Sequence, residues 1–484
     1  MTDHSLIDFL MKHQAKSPVS FHMPGHKGMA FFRRFGYGDV LDHLADIDIT
    51  EIPGADNLFQ PESVIADLME QYRCLYRSCA SYLLVGGSSA GIVASIIAAA
   101  AKARQAGIWK PSFIIARNSH KSVYSGLTLA GASPVYVRPQ ILPDWGIAGP
   151  VTAQSVRRAI DQAPDAAAVI ITSPNYYGIC SDISSIADVC HRADMPLIVD
   201  EAHGAHLIMM DRLHPSDPPR SAALQGADAV INSTHKTLAS FTQSAVLNLY
   251  SDRIDLKEAE YALEMIQSSS PSYLLMTSLA MNAAVLEEHG QELMEQWKED
   301  VLWFRSAAQA VPGLGILEDP FLDQTKLDLD MSGRGLTGMG LQDELMKRNI
   351  YPELASGNIV MCLTGIGNVR EDYEYLLKAL KEIAGSFTDS ERTENASLDD
   401  EIDEMDSLPE RTTLPLQSEE IPLAASAGRI CARPIVPYPP GIPLVCPGEV
   451  LEFQVIRRIE HMLDRGESVM GVSLEREILV GEVK

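Results

Sequence analysis

A lysine follows a short apolar run in the middle of the chain, within Ile231-Asn-Ser-Thr-His-Lys-Thr-Leu238. Most lysines that follow a strand are solvated surface charges. Lys236 instead lies in a small polar cluster with Ser233 and His235, at the end of a predicted strand. A lysine placed there can lose its water, which lowers its pKa and makes its amine nucleophilic. Lys236 is therefore our candidate for an amine that forms an imine with an aldehyde.

An aspartate ends a second apolar run, in Leu197-Ile-Val-Asp-Glu-Ala-His-Gly-Ala-His206. Alone, Asp200 would be interpreted as a helix N-cap or a metal ligand. On a strand adjacent to Lys236 it would complete the arrangement that holds pyridoxal phosphate (PLP). There, a lysine binds the aldehyde and a carboxylate keeps the pyridine nitrogen protonated. Ala202 is small enough to pack flat against such a ring.

A turn rich in glycine and serine precedes an alanine-rich helix, in Leu83-Leu-Val-Gly-Gly-Ser-Ser-Ala-Gly-Ile92. Glycine permits a tight turn, and the start of a helix offers free N–H groups to an anion. The hydroxyls of Ser88 and Ser89, followed by Ala90, suit a monophosphate. The segment is neither a Walker loop nor a dinucleotide-binding fingerprint. Taken alone, it could equally be an ordinary turn from a strand to a helix.

A histidine lies just after another predicted strand, in Ala116-Arg-Asn-Ser-His-Lys-Ser122. It could be an ordinary loop residue. A PLP site also needs an aromatic side chain over one face of the ring, and His120 is the best placed candidate. The four segments together predict a PLP site with Lys236, Asp200 and His120 at its centre.

Predicted strands and helices alternate between residues 55 and 250, and these elements must position the candidate residues. Apolar runs that predict strands are separated by amphipathic or alanine-rich runs that predict helices, for example 91–105 and 152–162. This alternation indicates an α/β fold with a mainly parallel, seven-stranded sheet, in which ligands bind beyond the carboxyl ends of the strands. The predicted strands are 81–85, 112–116, 134–137, 167–171, 197–199, 229–232 and 245–249.

The remaining residues flank this unit. A long helix at 278–311 is expected to lead into a smaller α+β domain. An acidic linker at 387–420 interrupts that domain, since ten Asp or Glu residues and one Arg lie between residues 389 and 410. Such a composition is typical of a mobile segment. The expected units are an N-terminal arm at 1–54, a large PLP-binding domain at 55–312 and a small C-terminal domain at 313–484.

The composition argues against several classes of function. The 484 residues include 65 acidic and 39 basic side chains, and the formal net charge of −26 opposes binding to nucleic acid and to anionic membranes. No apolar run reaches the roughly 20 residues that span a bilayer. The seven cysteines are widely spaced without a CxxC pair, so we expect free thiols, a cytoplasmic protein and no metal site.

The four site segments resemble those of the Orn/Lys/Arg decarboxylase family, a group of fold-type-I PLP enzymes. The resemblance extends to further segments and covers nearly the whole chain outside the acidic linker. Those segments are Phe21-His-Met-Pro-Gly-His-Lys-Gly28, Asp48-Ile-Thr-Glu-Ile-Pro-Gly54, Ser268-Ser-Ser-Pro-Ser-Tyr-Leu-Leu275, Tyr438-Pro-Pro-Gly-Ile-Pro443 and Pro447-Gly-Glu449. The chain length resembles that of the short members, which lack an N-terminal wing domain.

This resemblance implies a cytoplasmic decarboxylase of a basic amino acid, with arginine favoured, then lysine, then ornithine, and a place in polyamine biosynthesis. Lys236 would be the Schiff-base lysine, Asp200 the partner of the pyridine nitrogen and His120 the stacked ring. His203 would lie near the imine or the substrate carboxylate. A homodimer or larger assembly with shared active sites is implied. The residues around the phosphate would be Ser88, Ser89, Ser233 and His235, with Ser270 contributed by a neighbouring subunit.

Two acidic residues in family-like motifs, Glu51 and Glu449, are candidates to face the distal cation of the substrate, because a buried unpaired charge is costly. Each could have a structural role instead. The chain departs from the family pattern at Ile92, where members commonly carry Asn. It departs again at Phe59, where they commonly carry His.

Two other classes of function stay open. An aminotransferase or another lyase could use the same cofactor residues, and Arg370 could then hold the α-carboxylate of the substrate. A non-catalytic relative could act as a regulator of an enzyme. The intact set of Lys236, Asp200 and His120 argues against this last alternative.

Overall fold

The computed structural model describes residues 5–481 apart from residues 216, 218, 389–414, 416, 438–440 and 465. Most of the predicted acidic linker therefore lies outside the described residues, as does the start of the motif at Tyr438. In the part of the chain that is described, no helix is long and apolar enough to cross a membrane.

A seven-stranded sheet forms the centre of the molecule and confirms the predicted α/β fold. Its strands run parallel except Ala245–Leu249, which is antiparallel to both of its neighbours. Helices cover both faces, which is why the strands are continuous apolar runs in the sequence. In spatial order the strands are Ala80–Leu84, Ala245–Leu249, Ala229–Asn232, Leu197–Asp200, Val169–Thr172, Ser112–Ala116 and Ser133–Val137. Three of the predicted strands have these bounds, and the other four differ by one or two residues at one or both ends.

Two groups of helices sandwich the sheet. On one face, Gly87–Gln105 packs between Lys121–Leu129 and Leu256–Ile266 through alanine, isoleucine and leucine side chains. On the other face, Ala153–Gln162 and Ile183–Arg192 bury their apolar sides against the strands. The other helices of the arm and large domain are Ser5–Ala15, Met29–Arg34, Gly38–Asp42, Val64–Tyr76, Leu207–Leu213, Thr234–Thr237 and Tyr273–Ala308.

The carboxyl ends of the parallel strands lie along one edge of the sheet. The register pairs Asp200 with Thr172 on one neighbouring strand and with Ile231 on the other. The short helix Thr234–Thr237 begins immediately after the strand Ala229–Asn232. The segments that contain Asp200 and Lys236 therefore meet at the edge where ligands bind in such folds.

A smaller α+β unit follows the long helix Tyr273–Ala308, which was predicted at 278–311. Its helix Arg370–Ser386 packs against that long helix. The N-terminal strand Val19–Phe21 pairs in parallel with Ile350–Pro352, so the arm is anchored to this unit. The unit also contains the helix Gly338–Lys347 and a four-stranded antiparallel sheet in the order Gly315–Ile316, Lys326–Asp330, Ile359–Leu363 and Leu354–Ser356.

The C-terminal residues form a further unit with its own apolar core around the helix Phe453–Asp464. The core of the four-stranded sheet, in contrast, is continuous with that of the long helix. The predicted domain boundaries stay a prediction. The antiparallel strand pairs of the C-terminal unit are Ser418–Pro422 with Glu477–Gly481 and Val436–Pro437 with Val469–Met470.

Candidate active site

Lys236 lies in the short helix Thr234–Thr237, at the carboxyl edge of the sheet. Its Nζ is 2.8 Å from Nε2 of His203, which follows the neighbouring strand. Burial lowers the pKa of the Lys236 amine to about 8, although the negative charge of Asp200 opposes this shift. Burial and the positive charge of Lys236 lower the pKa of His203 well below its ordinary value, so its ring is neutral. A neutral ring beside a lysine that loses its proton near neutral pH suits imine chemistry.

Asp200 ends the strand Leu197–Asp200 and is buried. One of its carboxylate oxygens accepts a hydrogen bond from the backbone N–H of Ala202 at 3.2 Å. Burial raises the pKa of Asp200, and the positive charge of Lys236 opposes that rise. A carboxylate with so little water around it needs a cationic partner, and a protonated pyridine nitrogen is such a partner. Ala202 is itself buried, as expected for a small side chain under a ring.

His120 is half-buried at the start of the helix Lys121–Leu129. Its Nδ1 accepts a hydrogen bond from the backbone N–H of Ser122 at 3.2 Å, which fixes the orientation of the ring. Burial lowers the pKa of His120 to about 4, and the positive charge of Lys236 adds to this shift. The ring is therefore neutral, and it lies within electrostatic reach of the reactive amine.

The predicted phosphate turn lies at the start of the helix Gly87–Gln105, where no side chain among the described residues caps the helix. The first backbone N–H groups of a helix have no partner within the helix, so they are available to an anion. The Ser88 side chain is half-buried, that of Ser89 is exposed, and Ala90 is buried beneath them. This geometry is compatible with a phosphate group, and the phosphate role of these residues stays a prediction.

Two further polar side chains belong to the turn that contains Lys236. The Oγ of Ser233 is buried without a hydrogen-bond partner among the described residues, and so is Nδ1 of His203. His235 donates from Nδ1 to the backbone oxygen of Ser244 at 2.8 Å, and burial lowers its pKa to about 4. Buried polar atoms without a partner call for an explanation, and a bound ligand is one. PLP would supply polar partners here, so these residues fit that cofactor.

The motif at residues 21–28 packs directly behind the turn that contains Lys236. The backbone N–H of Gly25 donates to the backbone oxygen of His235 at 2.7 Å. A Cβ atom on Gly25 would overlap the backbone oxygen of Leu238. Only glycine therefore allows the arm to approach so closely.

Three polar side chains near Lys236 were missed by sequence reasoning: Tyr176, Lys326 and Glu353. Lys326 is fully buried, and its Nζ donates to the backbone oxygen of His203 at 3.3 Å. The ring of Tyr176 meets the ring of His203 edge-on, with 4.8 Å between the centroids, and its hydroxyl donates to Glu353 at 2.8 Å. No local motif marks these residues. The one available signal was a strand, Lys326–Asp330, in which charged and apolar residues alternate yet all are buried.

Glu449 lies in a buried network that joins the C-terminal unit to the large sheet. Its Oε1 accepts a hydrogen bond from the Tyr136 hydroxyl at 2.7 Å. Its Oε2 accepts the backbone N–H of Cys446 at 2.7 Å and pairs with Arg117 at 3.3 Å. Because both carboxylate oxygens are used, the geometry gives Glu449 a structural role within one chain. These contacts favour the structural alternative that the sequence left open, and the substrate-binding role stays a prediction.

Glu51 and Ser270 were predicted to contact the substrate and the phosphate of a neighbouring subunit. Glu51 is half-buried, and its charge adds to the effect of burial in raising the pKa of Tyr273. Ser270 is exposed, and its backbone N–H donates to the hydroxyl of Ser268 at 3.3 Å. Within the described part of one chain, no hydrogen bond or ion pair joins either residue to the site lysine. Both roles stay predictions.

Two family models match the chain. The model of the Orn/Lys/Arg decarboxylase major domain matches residues 5–327, and that of the Orn/Lys/Arg decarboxylase C-terminal domain matches residues 407–469. The chain belongs to the Orn/Lys/Arg decarboxylase family. This family consists of PLP-dependent amino-acid decarboxylases, so the resemblance inferred from the sequence is confirmed.

Individual relatives agree with the family assignment. The chain is 31% identical to an arginine decarboxylase of Bacillus subtilis (strain 168), over 96% of this chain and 94% of that relative. It is 30% identical to an arginine decarboxylase of Bacillus anthracis, again over 96% of this chain and 94% of that relative. The structure of the Escherichia coli constitutive lysine decarboxylase aligns with a TM-score of 0.73 at 20% identity, over 95% of this chain and 79% of that one. This last similarity shows the fold alone.

Proposed function

We propose that this protein uses PLP to decarboxylate a basic amino acid, with arginine preferred, then lysine, then ornithine. The products are CO₂ and agmatine, cadaverine or putrescine, respectively. The main support is the 2.8 Å contact between Lys236 Nζ and the neutral His203 ring, beside the buried carboxylate of Asp200. The preference for arginine is supported by the two arginine decarboxylases at 30% and 31% identity.

Each side chain of the site has a distinct task in this reaction. Lys236 would hold the aldehyde carbon, Asp200 the pyridine nitrogen, and His120 would cover one face of the ring. When bound, PLP supplies the electron sink for the electron pair that stays on Cα as the bond from Cα to the carboxylate breaks. The protein contributes orientation, because that bond must stand perpendicular to the ring plane.

A proton must reach Cα after CO₂ leaves, and Lys236 and His203 are the candidates. A protonated lysine amine can only donate a hydrogen bond, so in that state Nε2 of His203 accepts and the ring proton is on Nδ1. The transferable proton in this contact is therefore on Lys236. We assign the general acid at Cα to Lys236 and an orienting role to His203.

We further propose that two or more identical chains assemble and share their active sites. The helix Ser5–Ala15 has no buried residue, and an isolated helix of this length is marginal in water. A second copy of the chain would cover its apolar side chains. Those that are 53–69% exposed are Leu6, Ile7, Phe9, Leu10 and Met11.

A cytoplasmic location and a role in polyamine biosynthesis complete the proposal. All seven cysteines are free, as expected in a reducing compartment. The amines released from arginine and ornithine are the starting compounds that polyamine synthesis requires.

CO₂ release from arginine, lysine and ornithine tests the proposed function, with the visible absorbance of the purified protein recorded beforehand in the presence of PLP. A visible band that is absent from Lys236→Ala, together with CO₂ from one of the three amino acids, is the expected result. A band without CO₂ from any of them would redirect the assignment to another PLP reaction. No band at any PLP concentration would overturn the cofactor assignment.

The aminotransferase alternative is disfavoured by the surroundings of Arg370. Its guanidinium pairs with the buried carboxylate of Asp300 at 2.8 Å and lies 4.6 Å above the ring of Trp303. An arginine engaged in this way is not placed to receive the α-carboxylate of a substrate. Keto-acid formation from arginine in the same assay would support the alternative.

A further inference from the structure

One carboxylate joins three parts of the molecule close to the reactive lysine. Glu353 lies in the small unit, between the strands Ile350–Pro352 and Leu354–Ser356, and is half-buried. Its Oε1 accepts the hydroxyl proton of Tyr176, from the large domain, at 2.8 Å. Its Oε2 accepts the backbone N–H of Met23, from the N-terminal arm, at 3.0 Å. Both oxygens are therefore held in a fixed orientation by donors from outside the small unit.

A continuous set of contacts leads from this carboxylate to the amine. The ring of Tyr176 packs edge-on against the ring of His203, with 4.8 Å between the centroids. Nε2 of the same histidine ring lies 2.8 Å from Lys236 Nζ. Glu353 thus acts on the lysine through two intervening side chains, and displacement of the tyrosine would free the histidine to turn.

The charges around Lys236 give the carboxylate a second role. Asp200 and Glu353 are the carboxylates whose charges favour the protonated amine, whereas the ammonium group of Lys326 opposes it. The other titratable groups that face Lys236 or Glu353 are His22, Lys27, His120, His203 and His235. Among the described residues no lysine or arginine lies within 4.0 Å of the Glu353 carboxylate. Its charge favours the protonated forms of Lys27 and Lys326 as well as that of Lys236. When a pyridine nitrogen engages Asp200, Glu353 is the remaining anion of this set.

We propose that Glu353 is a positioning residue for Lys236, which holds Tyr176 against His203 and supplies the second negative charge that stabilises the protonated amine. The inference rests on the proposed function in one respect, namely that Lys236 is the imine-forming lysine. The inference also links the small unit and the N-terminal arm to the reactive lysine, because the Glu353 carboxylate contacts both Met23 of the arm and Tyr176.

The pH dependence of Lys236 reactivity in the full-length protein tests this role without any turnover. Competitive acetylation from pH 6 to 10, read by mass spectrometry of the peptide that contains Lys236, gives the midpoint at which the amine loses its proton. Glu353→Gln should lower this midpoint by about half a unit or more, because loss of a nearby negative charge disfavours the protonated amine. Glu353→Asp should restore most of the shift. Glu374→Gln, which removes an exposed carboxylate from the same unit, should leave the midpoint unchanged.

Tyr176→Phe separates the contact from the charge. It keeps the ring and the Glu353 charge but loses the hydroxyl, so the acetylation midpoint should stay near that of the natural protein. Turnover should fall about tenfold or more, the size expected when one hydrogen bond to a charged group is lost. Far-ultraviolet circular dichroism identifies any variant that fails to fold.

Two results would overturn the proposal: a Glu353→Gln midpoint that coincides with that of the natural protein, or full turnover in Tyr176→Phe. The acetylation curve needs neither PLP nor substrate. A failure of the proposed decarboxylation would therefore leave this test intact and be recognised separately.

Discussion

The lowered pKa of Lys236 predicts how fast the cofactor-free protein captures PLP. Only the unprotonated amine attacks an aldehyde, and burial lowers the pKa of this amine from 10.5 to about 8. At pH 7.5, about a quarter of the Lys236 side chains are then unprotonated, against about one in a thousand for a lysine of ordinary pKa. The reactive fraction is therefore roughly two hundredfold above that of an ordinary lysine at this pH, and the capture rate should be raised accordingly, less the lower intrinsic nucleophilicity of an amine of lower pKa.

Stopped-flow absorbance from pH 6 to 10 measures this rate. Because the pKa is lowered, the rate should rise through neutral pH, reach half its maximum near pH 8, and level off above it. Reaction of PLP with Nα-acetyl-lysine under the same conditions corrects for ionisation of the aldehyde itself. A rate that still climbs tenfold per pH unit up to pH 9.5 would refute the argument, since it would mean that the Lys236 amine keeps an ordinary pKa.

Three further variants test separate parts of the structure. His120→Ala should raise the Kd for PLP about fivefold, because an aromatic contact is worth about 1 kcal/mol, whereas His120→Phe should retain most of the affinity. Equal affinity in His120→Ala, measured by absorbance titration, would contradict the stacking role. Glu449→Ala should lower the free energy of unfolding by about 3 kcal/mol in a denaturant titration, because the guanidinium of Arg117 loses its partner. Unchanged stability would argue against the structural role. Phe9→Glu should weaken self-association in sedimentation velocity, and an unaltered assembly would show that the N-terminal helix is not at an interface.

Most of the large domain could be predicted from the sequence because its strands are buried on both faces. A strand such as Ala229–Asn232 then forms a continuous apolar run, and its end is marked by the polar residues that follow. Asp200 and Lys236 could be proposed from the sequence for a similar reason, because the signals that mark them are local. Each lies within a few residues of a strand end, and parallel strands bring their carboxyl ends to one edge of the sheet.

Residues whose roles depend on distant partners could not be predicted. Glu353 is 177 residues from Tyr176 in the sequence, and only the packing of the small unit on the large domain brings them together. Lys326, in an alternating strand, has the sequence pattern of a solvated charge, yet it is fully buried. The partners of Glu449 could not be predicted for the same reason, because its motif does not reveal which side chains surround the carboxylate. Its partner Arg117 is 332 residues away in the sequence, directly after the strand Ser112–Ala116.

The central claim is that Lys236, among three lysines around the site, holds the cofactor. Borohydride reduction of the PLP-loaded protein, followed by peptide mass spectrometry, tests it most directly. The structure predicts that the pyridoxyl phosphate mass is found on the peptide that contains Lys236, next to His203. The same mass on Lys27 or Lys326, or on no lysine at all, would contradict the account.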